Sequence, residues 1–149
     1  MLTKETLIYS RAAAARILKV QPEQIRRLEI WPKLVWVRVE GSKPRFISKK
    51  AFLEDFVNSR KARAKNLRAK FISPGTFLVP SESETTKVYK VREKEPGYFT
   101  CECQDWSTQK MAGIKNATCK HVYSVLFSLG FSSLREYREY IGAKNGKSS

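Results

Sequence analysis

The chain has 149 residues, and its 29 lysines and arginines against 14 aspartates and glutamates give a formal net charge of +15. With 42% hydrophobic and 29% charged residues, the composition is typical of a folded chain rather than a disordered one. No run approaches the roughly 18 apolar residues of a membrane span. Residues 1–8 lack the apolar segment of a secretory signal, and three cysteines, an odd number, argue against a disulfide scaffold. We expect a protein of the cytoplasm or nucleoid, or of a eukaryotic nucleus, that is neither secreted nor membrane-bound and binds a polyanion.

The positive charge is concentrated in the first half of the chain. Residues 1–80 carry 18 basic and 6 acidic side chains, whereas residues 81–149 carry 11 and 8. The densest run, residues 60–70, has six basic side chains and no acidic one, and it includes Arg60, Lys61 and Arg63. Contacts between these side chains and phosphates would release counterions and make binding salt-sensitive. A solvated helix face or a linker is the alternative interpretation of this run.

The first predicted elements are two short helices with a tight connection. Ser10 is a suitable N-cap for an alanine-rich helix over Arg11–Leu18. A second helix is predicted over Pro22–Glu29, because proline suits the first helical position and Ile25 and Leu28 share one face at i, i+3 spacing. Two such helices form a helix-turn-helix unit. The polar side chains on the outer face of the second helix are Gln24, Arg26 and Arg27.

A predicted hairpin and a third helix follow. Residues 33–39 are rich in β-branched and aromatic side chains, residues 40–43 are typical of a turn, and residues 44–47 form a returning strand. Ser48 then caps a helix that runs from Lys49 to about Arg60.

This order resembles the winged helix-turn-helix modules of excisionases and MerR-type regulators. The resemblance is carried by residues 9–18, 20–27 and 45–48. It implies that Pro22–Glu29 enters the major groove of duplex DNA, where Gln24, Arg26 and Arg27 meet base edges or phosphates. It also implies that Lys43 and Arg45, on the wing, contact the DNA backbone or the minor groove.

Two alternatives to duplex recognition remain open. The polar side chains of the second helix could merely solvate its outer face. RNA could also be the ligand, with Trp31, Trp36 and Phe46 as stacking residues. We expect these three aromatic side chains to form the core of the hairpin instead.

The second half of the chain holds a set of metal-ligating residues. All three cysteines and the only histidine fall within residues 101–121, as C-x-C and C-x-H pairs separated by fifteen residues. Three thiolates and an imidazole suit tetrahedral Zn²⁺. Cys101 and Cys103 point to the same side if they lie on a strand. Since i and i+2 diverge on a helix, Cys119 must lie at or before a helix start and His121 in its first turn. That helix is predicted over Lys120–Ser128.

A small sheet is predicted before these ligands. Residues 87–91 and 98–101 alternate like two strands joined by a turn at residues 95–97, and residues 77–79 add a third strand. The order of strands, C-x-C, loop, C-x-H and helix resembles the SWIM-type zinc finger over residues 75–130. The matching segments are residues 89–91, 101–106 and 119–122. SWIM fingers as a family are linked to both DNA and protein contacts.

We therefore expect an α+β fold in three parts. These are a basic winged helix-turn-helix module over residues 1–66, a small β-sheet and helix zinc-finger (SWIM-like) module over residues 67–142, and a flexible tail over residues 143–149. A closed four-ligand zinc site uses every cysteine and the only histidine, so no catalytic centre is expected.

The predicted function is DNA binding, in transcription regulation or as an accessory factor in recombination or excision. The alternative is an adaptor subunit that binds nucleic acid without sequence preference and uses the zinc module for protein contacts. The sequence contains no heptad repeat of the kind that would indicate a dimer.

Overall fold

The structure is a computed structural model that describes residues 2–146, with the side chains of residues 2–142. The chain divides into two compact units, Met1–Ser59 and Arg60–Ser149, here called the N-terminal and C-terminal units. The division falls before the predicted boundary at residue 66. Within the described part of the chain, no helix combines the length and the apolarity that crossing a bilayer requires.

The N-terminal unit is a three-stranded antiparallel sheet with helices. Strands β1, β2 and β3 lie side by side in chain order. Ser10 caps the second helix as predicted, its Oγ accepting a hydrogen bond from the Ala13 amide at 3.1 Å. The elements are α1 (Lys4–Ile8), α2 (Arg11–Leu18), a 3₁₀ turn (Pro22–Gln24), β1 (Ile25–Ile30), β2 (Leu34–Val39), β3 (Arg45–Ser48) and α3 (Lys49–Ala64), which continues past the unit boundary.

The predicted second helix over Pro22–Glu29 is wrong. Only one 3₁₀ turn forms, and the chain then enters β1. Ile25 pairs with Val39 and Leu28 pairs with Val37. The two positions are therefore three residues apart on β1, whereas their partners are two residues apart on β2. The extra residue is a β-bulge, which puts Ile25 and Leu28 on one face of a strand. The i, i+3 spacing therefore came from a bulged strand, and no second helix is available to enter a major groove.

One face of this sheet packs on the helices and the other faces solvent. Val35, Val37, Val39 and Ile47 are buried in a core with Phe52 of α3. Because side chains alternate along a strand, the neighbours of these residues point the opposite way. The outward face therefore carries Arg27, Glu29, Trp36, Arg38 and Phe46. The expectation that Trp31, Trp36 and Phe46 form the core of the hairpin is wrong, since the core of this unit contains none of these three side chains.

The C-terminal unit is a four-stranded antiparallel sheet followed by three helices, with strand order β4-β5-β6-β7. The predicted strands over residues 77–79, 87–91 and 98–101 are confirmed, and the predicted helix over Lys120–Ser128 is present with those bounds. Strand β4 and helix α4 were not predicted. The elements are β4 (Lys70–Ser73), β5 (Thr76–Pro80), β6 (Val88–Glu95), β7 (Tyr98–Cys101), α4 (Gln104–Met111), α5 (Lys120–Ser128) and α6 (Leu134–Gly146).

Helix α6 is hydrogen-bonded to the β6–β7 hairpin. The Tyr137 hydroxyl donates to the Glu93 carboxylate at 2.6 Å, and burial followed by this hydrogen bond raises the pKa of Tyr137. The same carboxylate accepts from the Gly97 amide at 2.8 Å. Gly97 has φ +82°, and a Cβ there would meet Arg138 at 2.9 Å, so the turn requires glycine.

Helix α6 reaches Gly146, inside the predicted flexible tail over residues 143–149. Residues 147–149 of that predicted tail lie outside the described residues.

The burial of Phe52 gives a test of the N-terminal core. Phe52 is fully buried, whereas its neighbour Leu53 is 47% exposed. Phe52→Ala should lower the free energy of unfolding of this unit by about 3–5 kcal/mol, because it leaves a cavity in the core. Leu53→Ala should cost about 0.5 kcal/mol or less. Urea unfolding followed by tryptophan fluorescence in a Trp106→Phe background, where only Trp31 and Trp36 emit, measures both, and equal effects would contradict this assignment of the core.

Candidate metal centre

Four side chains converge at the junction of the C-terminal sheet with two helix N-termini. Cys101 ends β7, Cys103 is the N-cap of α4, Cys119 is the N-cap of α5, and His121 lies in the first turn of α5. The predicted placement of Cys119 and His121 is therefore confirmed. All four residues are buried, with exposures between 0 and 5%. Cys101 and Cys103 do not share a strand, as the C-x-C spacing suggested: β7 ends at Cys101, and Cys103 is already the N-cap of α4. The segment between α4 and α5 brings Cys119 and His121 to the same place.

The distances fit a tetrahedral metal ion. The four ligand atoms all lie within 4.8 Å of one another. Nδ1 of His121 lies 3.7 Å from Sγ of Cys101 and 3.8 Å from Sγ of Cys119. Zn–S bonds of about 2.3 Å and Zn–N bonds of about 2.0 Å give ligand-to-ligand edges of about 3.5–3.8 Å in a tetrahedron. The residues therefore form a Cys₃His group that fits a metal ion such as zinc, with Nδ1 as the histidine ligand.

Burial and mutual contact of the three sulfurs make it unfavourable for more than one of them to be a thiolate when no cation is bound. The hydrogen bond with Cys103 is the main cause that raises the pKa of Cys101 to about 12. Its counterpart, the hydrogen bond from Cys101, is the main cause that lowers the pKa of Cys103, which also accepts from the Trp106 amide at 3.3 Å. Burial raises the pKa of Cys119 well above its usual range. Three thiolates would need a compensating positive charge in this buried space, and a bound divalent metal would supply it.

The imidazole of His121 is held by stacking. Its ring lies 4.4 Å from the ring of Tyr89 on β6, centroid to centroid, at an interplanar angle of 33°. Nδ1 faces the sulfurs, so it is the nitrogen that would bind a metal, and Nε2 would then carry the ring proton. Nε2 is buried and has no hydrogen-bond partner among residues 2–142. Tyr89 therefore orients the ring by contact, in the way that a hydrogen bond to the second nitrogen does in many metal sites.

A buried hydrogen-bond network behind the cluster was missed by sequence reasoning. Gln109 of α4 is 1% exposed, and its amide accepts from Thr118 N at 3.0 Å and donates to Thr118 O at 3.1 Å. The amide also donates to Asp105 at 3.2 Å, and Asp105 receives two 2.8 Å hydrogen bonds from Arg60. These contacts fix the residue next to Cys119. A glutamine gives no sequence signal of such a role, since most glutamines lie on the surface.

The side chains predicted to read DNA do not share one helix. Gln24 lies in the 3₁₀ turn, where its side chain accepts from the Gln21 amide at 2.8 Å. Arg26 pairs with Glu40 at 2.5 Å, and Arg27 pairs with Glu29 at 2.8 Å. Lys43 lies in the β2–β3 turn and Arg45 begins β3, both exposed.

The basic run over residues 60–70 has mixed roles. The guanidinium of Arg60 is mostly buried and bound to Asp105, so this residue supports the metal centre. The ammonium of Lys61 lies 5.8 Å from the centre of the Tyr123 ring. Arg63 is exposed near the end of α3. The remaining exposed basic side chains of the run are Lys65, Arg68 and Lys70.

Comparison with protein-family models, with curated proteins and with solved structures gives no match to this chain. The chemistry of the site therefore stands on its four residues.

Removal of one ligand tests the centre. Cys119→Ser should lower the affinity for Zn²⁺ by at least about 100-fold and unfold the C-terminal unit, because the hydroxyl is a poor ligand and metal binding is coupled to folding. The amide resonances of residues 4–58 should keep their dispersion in the two-dimensional NMR spectrum, whereas those of residues 70–142 should collapse. A variant that retains zinc and a folded C-terminal unit would contradict the assignment.

Loss of the buried amide tests the network. Gln109→Ala leaves both backbone groups of Thr118 buried without a partner, at about 1–3 kcal/mol each. We expect zinc affinity to fall by about 10- to 100-fold, as for other groups that orient metal ligands. Gln104→Ala, an exposed position on the same helix, is the control and should change the affinity little. Competition with a chromophoric chelator measures both variants, and indistinguishable affinities would refute this role for Gln109.

Proposed function

We propose that the chain is a nucleic-acid-binding protein without catalytic activity, whose C-terminal unit folds around a structural zinc ion as a SWIM-like finger. The observation that carries the proposal is the net charge of +15 together with its exposure to solvent. Eleven of the twelve basic side chains of residues 1–59 are exposed, and only Lys49 is half-buried. So large a basic surface favours a polyanion partner.

The metal centre supports a structural role for the ion. Catalytic zinc sites keep an open position for water or substrate, whereas structural sites are closed by four protein ligands. Here four ligands are present and buried, and three of them belong to the hydrophobic core of their unit. The ion would hold the sheet and the two helices together, and nucleic acid would bind elsewhere on the surface.

The basic segment, residues 60–70, offers the simplest phosphate-binding surface. Lys65, Arg68 and Lys70 follow α3 and lead into β4, all exposed. None of the three has an acidic partner within hydrogen-bond distance among residues 2–142. Contacts of this kind bind any sequence, because phosphates carry no base information. The proposal does not include base reading by Pro22–Glu29, since that segment is a 3₁₀ turn and a strand.

A second candidate function is protein binding by the C-terminal unit. Strand β4 lies at the edge of its sheet, and all four of its residues are exposed, including Phe71 at 62%. An exposed edge strand with apolar side chains can accept a strand from another chain. This surface would suit an adaptor that bridges nucleic acid and a protein partner.

Neutralising the basic segment tests the proposal. Lys65→Gln and Arg68→Gln should each flatten the dependence of log K on log salt by about 1, because each removes one phosphate contact. The loss of affinity should be similar for single-stranded and duplex probes. Lys94→Gln, which removes an exposed charge outside the segment, is the control. Salt-titrated fluorescence anisotropy measures the slopes, and a wild-type chain that binds neither probe at low salt would contradict the proposal.

A further inference from the structure

The outward face of the N-terminal sheet carries aromatic and basic side chains that no part of the core uses. Trp36 and Phe46 are directly opposite each other on β2 and β3. Arg27 and Arg38 are directly opposite each other on β1 and β2. Trp31 follows β1 and continues the pairing through its amide, which donates to Leu34 O at 2.9 Å. These five residues are called the aromatic face.

The rings on this face are open to solvent. Phe46 is 58% exposed and Trp31 is 39% exposed, while Trp36 is half-buried. The hydrophobic core of the unit lies on the other side of the sheet and includes none of them. Apolar side chains that are exposed singly are normal on a protein surface, whereas a contiguous group of them marks a binding site.

The face is held in one arrangement by its own contacts. One oxygen of Glu29 accepts from the indole N–H of Trp31 at 3.0 Å, and the other accepts from Arg27 at 2.8 Å. The Trp31 and Phe46 rings touch, with centroids 5.5 Å apart. The positions of Trp31 and Arg27 are therefore set before any ligand arrives, which lowers the entropy cost of binding.

The charge of the face points to an anionic ligand. Arg27 and Arg38 are a like-charged pair across two strands, an arrangement that is destabilising without a counter-charge. Glu29 offsets one of the two charges and leaves the face positive. A second copy of this face would bring further arginines against them, so self-association is disfavoured.

We propose that the aromatic face binds single-stranded nucleic acid, with unpaired bases stacked on Phe46, Trp31 and the exposed edge of Trp36, and with phosphates beside Arg38 and Arg27. Stacking on aromatic side chains requires bases freed from pairing, so a duplex cannot use the face in this way. The site rests on the proposed nucleic-acid-binding function and specifies the strand form of the ligand. DNA and RNA share the chemistry, and the experiment separates them.

The test uses the zinc-loaded full chain and three fluorescein-labelled probes: oligo(dT) and oligo(rU) of roughly 12 nucleotides, within the site sizes of single-strand binders, and a mixed-sequence duplex. Anisotropy should show tighter binding of one or both single strands than of the duplex. The better of the two single strands identifies the sugar. Phe46→Ala and Trp31→Ala should each weaken single-strand binding by about 5- to 150-fold, the range for loss of one stacked base.

Two further readouts separate stacking from charge. The aromatic variants should leave the salt slope unchanged, whereas Arg38→Ala should flatten it by about 1. Phe46→Leu keeps an apolar side chain without a ring and should lose affinity, while Phe46→Trp should retain it. Tyr140→Ala, an exposed aromatic residue of α6 in the C-terminal unit, is the matched control and should bind like wild type. Circular dichroism of Phe46→Ala should match wild type, because the side chain is exposed.

The outcomes distinguish this inference from the proposed function. If all aromatic variants bind single strands like wild type, the inference is overturned and the proposed function stands. If the wild-type chain binds no probe, both fail. If Phe46→Ala converts a dimer to a monomer in sedimentation and leaves single-strand affinity unchanged, the face belongs to a second copy of the chain and the inference is overturned.

Discussion

The C-terminal unit depends on one constraint, the convergence of three sulfurs and one imidazole on a buried site that fits a metal ion. The four side chains come from the end of β7 and from the starts of α4 and α5, so one ion bound there would join the sheet to two helices. A unit of this size buries little apolar surface for its length, and a metal supplies the missing stability. Because the sulfurs also belong to the hydrophobic core, loss of the ion leaves polar groups where the core should be closed.

The network behind the centre divides the basic segment into two parts with different roles. Arg60 is bound to Asp105, which receives a hydrogen bond from Gln109, and Gln109 holds the backbone before Cys119. The start of the segment thus stabilises the metal centre. The later basic side chains, Lys65, Arg68 and Lys70, remain exposed to solvent. A run of like charges in a sequence does not reveal this division, because it depends on which residue faces an acidic partner.

Much of the metal centre could be predicted because its chemistry is local. The C-x-C and C-x-H spacings restrict which backbone can hold one ion, and this requirement correctly placed α5. The N-terminal unit was harder, because Ile25 and Leu28 at i, i+3 spacing fit a helix and a bulged strand equally well, and pairing with β2 decided the outcome. The side of the sheet that Trp36 and Phe46 occupy also depended on tertiary packing. Gln109 gave no signal, because its role comes from contacts across the fold.

The most direct test of the central claim is the metal content of the 149-residue chain, purified without an affinity tag and dialysed against a metal-free buffer. Elemental analysis should find one zinc per chain. A folded C-terminal unit that contains no stoichiometric metal would contradict the account, because the buried sulfurs would then need another explanation for their convergence.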